Sequence, residues 1–151
     1  MKTIDFEQLP HALEEIDFSH NKLDGYVIIK NKDQIFKNGY VNYKNVKDSF
    51  LIKSRKLSYS KIDFSHNLID SMYVLPTVNN LNISNNNLVY LSFHSIGGDT
   101  LNISNNKDFD NIVTFRPDIY ENIIYENIKN DQPLQLRKLF QGAIHVINKE
   151  D

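Results

Sequence analysis

Val78–Leu88 reads VNNLNISNNNL. Apolar Leu81 and Ile83 flank polar Asn82, Asn86 follows three places after Ile83, and Leu88 comes two places later. The unit recurs along the chain. Aligned on the asparagine, the first copy is Leu13, Ile16, Phe18, Asn21, Leu23, and the second is Tyr59, Ile62, Phe64, Asn67, Ile69. The third is the quoted stretch. The fourth holds Leu101, Ile103 and Asn106, then slips, with Phe109 one place late. The four asparagines are spaced 46, 19 and 20 residues apart.

The 46-residue step is close to two repeat lengths. A degenerate copy, with Val41 and Tyr43 as the flanking pair and Val46 in the asparagine slot, would divide it. Five to seven places past the slot the clear copies are mostly apolar: Tyr26, Val27 and Ile28; Met72, Tyr73 and Val74; Leu91 and Phe93; Ile112 and Val113. The same offsets from Val46 hold Leu51 and Ile52. Asp24-Gly25 and Asn38-Gly39 would alternatively suit an inserted hairpin.

The pattern resembles the leucine-rich repeat family, L-x-x-L-x-L-x-x-N-x-L at a period of about 20–29 residues. The resemblance covers roughly Leu9 to Val113. The short spacing, with Leu9-Pro10 and Leu75-Pro76 ahead of their copies, is similar to that of bacterial effector-type leucine-rich proteins. Departures are Val46 for asparagine, Phe and Ile for Leu, and the long first repeat. The resemblance implies an α/β solenoid: a short curved parallel sheet of about five repeats. A three-residue strand cannot bury its apolar face alone, but a stack of identical parallel strands can. An asparagine at the bend after each strand can satisfy backbone groups of neighbouring turns.

Three regions are expected: an N-terminal cap over 1–12, repeats over 13–113 with the degenerate copy near 41–52, and a helical C-terminal cap over 114–151. In the N-terminal cap, Ile4 and Phe6 suit a capping strand, and Glu7–Leu13 a turn of helix broken by Pro10. Segments between repeat strands are too short for full helices and should be extended or tightly turned. Gly97-Gly98 marks a turn. In the C-terminal cap, Pro117 suits a helix start, and Ile119, Tyr120, Ile123, Ile124 and Ile128 approximate one apolar side. A second helix begins near Asp131-Gln132-Pro133, with Leu136, Leu139, Phe140, Ala143, Ile144 and Ile147 at three and four.

Net charge is −2, which points to neither nucleic acid nor an anionic membrane. No apolar run is long enough for a bilayer, and Met1–Phe6 lacks a signal-peptide core. The chain has no cysteine. That favours a reducing compartment and excludes a cysteine nucleophile. The Asn82-Ile83-Ser84 and Asn102-Ile103-Ser104 sequons lie on the repeat consensus and read as structural. Asn, Lys and Ile abundance is associated with AT-rich viral or bacterial genomes. The expected location is cytoplasmic, including host cytoplasm or a virion.

Family geometry would place polar columns on the concave face: Asp17, Asn42, Asp63, Asn82 and Asn102 in the centre, then Ser19, Lys44, Ser65, Ser84 and Ser104, then His20, Asn45, His66, Asn85 and Asn105. Glu14, Glu15, Tyr40, Lys61, Asn80 and Thr100 lie on the entry side. From these, the partner-binding candidates are Glu14, Glu15, Asp17, His20, Tyr40, Lys44, Asp63, His66, Asn82 and Asn102. Asp17/His20 and Asp63/His66 would sit about 10 Å apart if the degenerate copy lies between them, too far for one ion to bridge. No metal, cofactor or catalytic residue is assigned, because His11, His94 and His145 form no triad spacing. Tyr26, Phe36, Phe50, Tyr59, Tyr73 and Tyr90 read as packing or a lateral patch. The expected function is non-enzymatic protein binding as an adaptor or inhibitor. The alternative is a structural subunit of a larger assembly such as a viral particle, docking through the C-terminal helix, through which it could also self-associate.

Overall fold

The computed structural model describes residues 2–5, 13–31, 49–54, 58–74, 76–93, 98–109, 111–114, 120–128 and 145–148. It contains twelve strands: β1 (Lys2–Asp5), β2 (Glu15–Asp17), β3 (Asp24–Asn31), β4 (Ser49–Ser54), β5 (Ser58–Asp63), β6 (Leu68–Val74), β7 (Thr77–Asn82), β8 (Tyr90–Phe93), β9 (Thr100–Asn102), β10 (Asn111–Thr114), β11 (Asn122–Tyr125) and β12 (His145–Asn148). They form two six-stranded sheets in which every pairing is parallel. The repeat sheet runs β2-β5-β7-β9-β11-β12, and the back sheet β1-β4-β3-β6-β8-β10. The pairs β2/β3, β5/β6, β7/β8 and β9/β10 follow one another in the same order in both sheets.

Register in the repeat sheet follows the sequence pattern. Ile16, Ile62, Leu81, Leu101, Ile123 and Val146 share one column. Ile62, Leu81, Leu101 and Ile123 are fully buried. Each such side chain stabilises the fold by about 1.5–3 kcal/mol relative to exposure. In the back sheet Val27, Met72 and Leu91 stand side by side and join the same core. Phe18 and Phe64 stack with ring centroids 4.9 Å apart.

The slot asparagines join the turns. The Asn67 side-chain oxygen accepts from the Asn21 and Leu23 N–H groups, and its amide donates to the Phe18 and Phe64 carbonyls. Asn86 accepts from Ile69 N–H and donates to the Phe64 and Ile83 carbonyls. Asn106 accepts from Leu88 N–H and donates to the Ile83 and Ile103 carbonyls. Each buried amide therefore serves both its own turn and the preceding one. The series stops at Ile128, which occupies the next slot and is also buried. Ile128 cannot accept from the turn of Asn106. There the chain closes on itself, with Phe109 N–H donating to the Asn106 carbonyl.

The expected α/β class with a helical C-terminal cap is corrected: among the described residues there is no helix. Ile123 and Tyr125 are the apolar pair of a further repeat strand, β11, and Val146 continues the column in β12. The spacing of Ile119, Ile123 and Ile128 fits a helix and a strand-plus-slot equally well. Isoleucine in the asparagine slot concealed the second. Tyr120 is buried there, and its hydroxyl donates to the Val78 carbonyl. The expected second helix lies largely in residues 132–144, outside the described residues.

The long first step also resolves differently. β2 pairs directly with β5, so no repeat-sheet strand lies between the first two clear copies. Leu51 and Ile52 are in a strand, β4, but it adds to the back sheet on the far side of β3. Because β3 and β4 are parallel, they are not a hairpin either. Asp24-Gly25 forms no turn. Gly25 lies in β3 at a register shift, with φ 72°. Val41, Tyr43, Val46, Asn38-Gly39 and the turn of helix over 7–12 lie outside the described residues. Ile4 of the expected capping strand lies in β1, which joins the back sheet beside β4, and Phe6 lies outside the described residues.

Replacing Asn86 with Leu should lower stability by about 3 kcal/mol, because it strands a buried N–H and buried carbonyls. Asn21→Leu, at the exposed end of the series, should cost only about 1 kcal/mol. Urea midpoints of the two variants test the difference. Gly98→Ala should be at least as harmful as Asn86→Leu, because a Cβ there would land on the Asn79 backbone. A thermal melt reads that loss directly.

Candidate functional site

The outer face of the repeat sheet is built by strand alternation: where Ile16 and its column point inward, the residues on either side point out. One outer column is Glu15, Lys61, Asn80, Thr100 and Asn122. The other is Asp17, Asp63, Asn82, Asn102 and Ile124. Charge is confined to the β2–β5 end, and amides follow.

The second column is fixed by its own backbone. Asp17, Asp63, Asn82 and Asn102 each accept, through a side-chain oxygen, the N–H of the serine two residues on, at 2.8, 2.8, 3.1 and 3.1 Å. The Asn82 amide donates to Asp63 at 3.1 Å, linking neighbouring strands. The serines Ser65, Ser84 and Ser104 are buried, so they are not the exposed concave column that family geometry implied. Among the described residues the Ser104 hydroxyl has no hydrogen-bond partner.

Next comes a column of left-handed residues: His20, His66, Asn85, Asn105 and Asn127, with φ 58°, 56°, 56°, 58° and 48°. The chain bends sharply here to leave the sheet. Asn and His are the non-glycine residues, with Asp, that tolerate this conformation best. Their side chains align along the stack. The His20 and His66 rings lie face to face, with centroids 4.3 Å apart. Asn105 donates to Asn85 at 3.1 Å, and Asn127 to Asn105 at 2.6 Å.

Among the candidate residues, Glu14, Glu15, Asp17, His20, Asp63 and His66 are gathered at one end of this face, and Asn82 and Asn102 continue it. Tyr40 and Lys44 lie outside the described residues. The 10 Å separation expected for the two Asp/His sets is overturned, since β2 and β5 are neighbours and the imidazoles touch. Among the described residues no three His, Asp or Glu side chains are placed to hold a metal. The Asp17 carboxyl is held below its ordinary range by the Ser19 hydroxyl, then by the Ser19 N–H. A shallow hollow of about 200 Å³ lies beside Glu15, Ile16, Asp17, Lys61 and Asp63. Of the lateral aromatics, Tyr59 and Tyr73 are buried, and Tyr26 and Tyr90 are half-buried. Asn122 and Asn127 were hidden from sequence reasoning by the expected helix. The Ile123–Tyr125–Ile128 spacing was the signal that could have found them.

No family model, no curated protein and no solved structure matches this chain. No helix among the described residues is long and apolar enough to cross a membrane.

Asp17 should leave a mark on acid stability. Its lowered carboxyl pKa means the unfolded chain binds that proton more readily than the folded one. The stabilisation is complete above the ordinary value of 3.8 and is lost as pH falls through the lower folded value. Asp17→Asn keeps an acceptor for Ser19 and should flatten the fall in melting temperature between about pH 5 and pH 2. The melting temperature near neutrality should fall slightly, because a neutral amide lacks the carboxylate's contribution, while the acid values converge.

Proposed function

We propose that this chain is a non-enzymatic protein-binding module of leucine-rich-repeat type, an adaptor or inhibitor that presents the outer face of its repeat sheet to a partner. The observation that carries this reading is the fixed order of that face. Its side chains stand in register on adjacent parallel strands, and Asp17, Asp63, Asn82 and Asn102 are each tied to the backbone. A partner meeting such groups loses little conformational freedom on this side, so hydrogen bonds made there convert more fully into affinity.

The charged end, with Glu14, Glu15, Asp17 and Asp63 around Lys61, supplies orientation and partner choice. The amide columns supply donors and acceptors along the rest. Asp17 suits a binding role at that end. Ser19 holds it in the ionised form, ready to accept hydrogen bonds from a partner.

The test compares partners retained by the wild-type chain with those retained by two variants of equal thermal stability. Lys61→Glu with Thr100→Lys alters the face at positions of the other outer column, and Asp70→Lys with Asp108→Lys alters exposed positions away from it. The face variant should lose a partner that the control keeps. Identical partner sets for all three would remove the face as the contact.

A further inference from the structure

His20 and His66 hold the same place in neighbouring repeats. Both lie in the left-handed region, at φ 58° and 56°, and both are exposed. Their rings are face to face, 8° from parallel, with centroids 4.3 Å apart. That is closer than the strand spacing of about 4.7–4.9 Å, so the rings lean together. Later in the same column Asn85, Asn105 and Asn127 link through their amides instead. Imidazole is the commonest protein ligand of metal ions, and two stand here side by side. We infer that His20 and His66 together bind a borderline divalent transition ion, Zn²⁺, Ni²⁺ or Cu²⁺, through one ring nitrogen each.

The backbone under the pair is fixed. His20 N–H donates to the Ser65 carbonyl and His66 N–H to the Ser84 carbonyl, both at 3.1 Å. The bend beyond His20 is locked as well, because the Asn67 side-chain oxygen accepts from Asn21 N–H. Only side-chain torsions are left to adjust, and the terminal torsion of an imidazole is broad. A zinc–nitrogen bond is about 2.0–2.1 Å, so two nitrogens at a tetrahedral angle stand about 3.3 Å apart. Rings 4.3 Å apart reach that separation by tilting their nitrogen-bearing edges together by about 1 Å. The ion sits off those edges and not between the faces, because each nitrogen lone pair lies in its ring plane.

The surroundings favour a cation. Asp17 and Asp63 each lie three residues before their histidine, and the Asp17 carboxylate, held ionised by Ser19, also feels His20. These carboxylates act as nearby charges, since among the described residues no three His, Asp or Glu side chains are placed to hold a metal. The described residues thus offer two donors, and water fills the remaining positions. Imidazole nitrogens suit Zn²⁺, Ni²⁺ and Cu²⁺, whereas Mg²⁺ and Ca²⁺ require oxygen, and Cu²⁺ should bind most tightly of all. His20 and His66 are 46 residues apart in the chain, so the pair exists only in the fold and the ion stabilises the folded state. The site needs only the adjacency of β2 and β5, whatever partner the outer face takes.

Zn²⁺ and Cu²⁺ salts alone test the site on the full chain at about pH 7.5, where ordinary histidine is mostly neutral. Calorimetry should show one Zn²⁺ per chain, and Zn²⁺ but not Mg²⁺ should raise the melting temperature. His20→Asn and His66→Asn introduce the residue that Asn85 and Asn105 already hold in this conformation, so both variants should fold. Loss of an outer-shell partner alone costs metal sites about 10–100-fold, so each variant should bind Zn²⁺ at least about tenfold more weakly. His94→Asn should bind as the wild type does. Substoichiometric Cu²⁺ on the wild type should show two imidazole nitrogens by electron paramagnetic resonance. That spectrum decides alone if a variant fails to fold. A wild type that binds Zn²⁺ no more tightly than His20→Asn, a loss as large in His94→Asn, or a copper spectrum with a single imidazole nitrogen would each overturn the inference.

Discussion

The buried side-chain amide at the bend is the interaction on which this architecture rests. A solenoid must turn its backbone out of the sheet at every repeat, and each turn leaves N–H and C=O groups facing the core. An unpaired group there costs about 1–3 kcal/mol. Asn67, Asn86 and Asn106 satisfy their own turn and the turn before it with a single side chain. No aliphatic residue can do this, and the structure contains its own demonstration. Where Ile128 takes the slot it offers no acceptor to the turn of Asn106, in which Phe109 N–H donates to the Asn106 carbonyl.

The same bend shapes the exposed face. Its left-handed geometry selects Asn and His just before the slot, and stacking at the strand repeat then sets these side chains one above another. The imidazole pair and the Asn85–Asn105–Asn127 series are thus consequences of the fold before they are anything else. The Asp and Asn residues of the central column likewise cap the serine two places on. A binding surface made this way is rigid because its residues also hold the backbone. Changing it costs stability wherever the substituted residue was a cap.

Much of the repeat sheet was legible in the chain. Leu-x-Ile-x-x-Asn and its variants placed β2, β5, β7 and β9, and the apolar residues past each slot fell in β3, β6 and β8. The acidic end of the face was legible too, since Glu15, Asp17 and Asp63 come together through that register. The C-terminal strand β11 was not, because the four-and-five spacing of Ile119, Ile123 and Ile128 overlaps a helical one and the asparagine that would have decided between them is missing. The burial of Ser65, Ser84 and Ser104 was equally hidden: serine carries no signal that distinguishes an exposed strand position from the inside of a bend.

By itself the sequence determined the period, the inward column and the residues able to cap each turn, because these depend on local spacing and on side-chain chemistry. Only the tertiary structure decided which strands are neighbours. β2 and β5 are 46 residues apart yet pair directly, while Leu51 and Ile52 enter the opposite sheet outside β3. Strand adjacency depends on long-range parallel pairing, in which any apolar strand can occupy any open edge that buries it. The choice is made by the completed stack. That choice brings His20 onto His66.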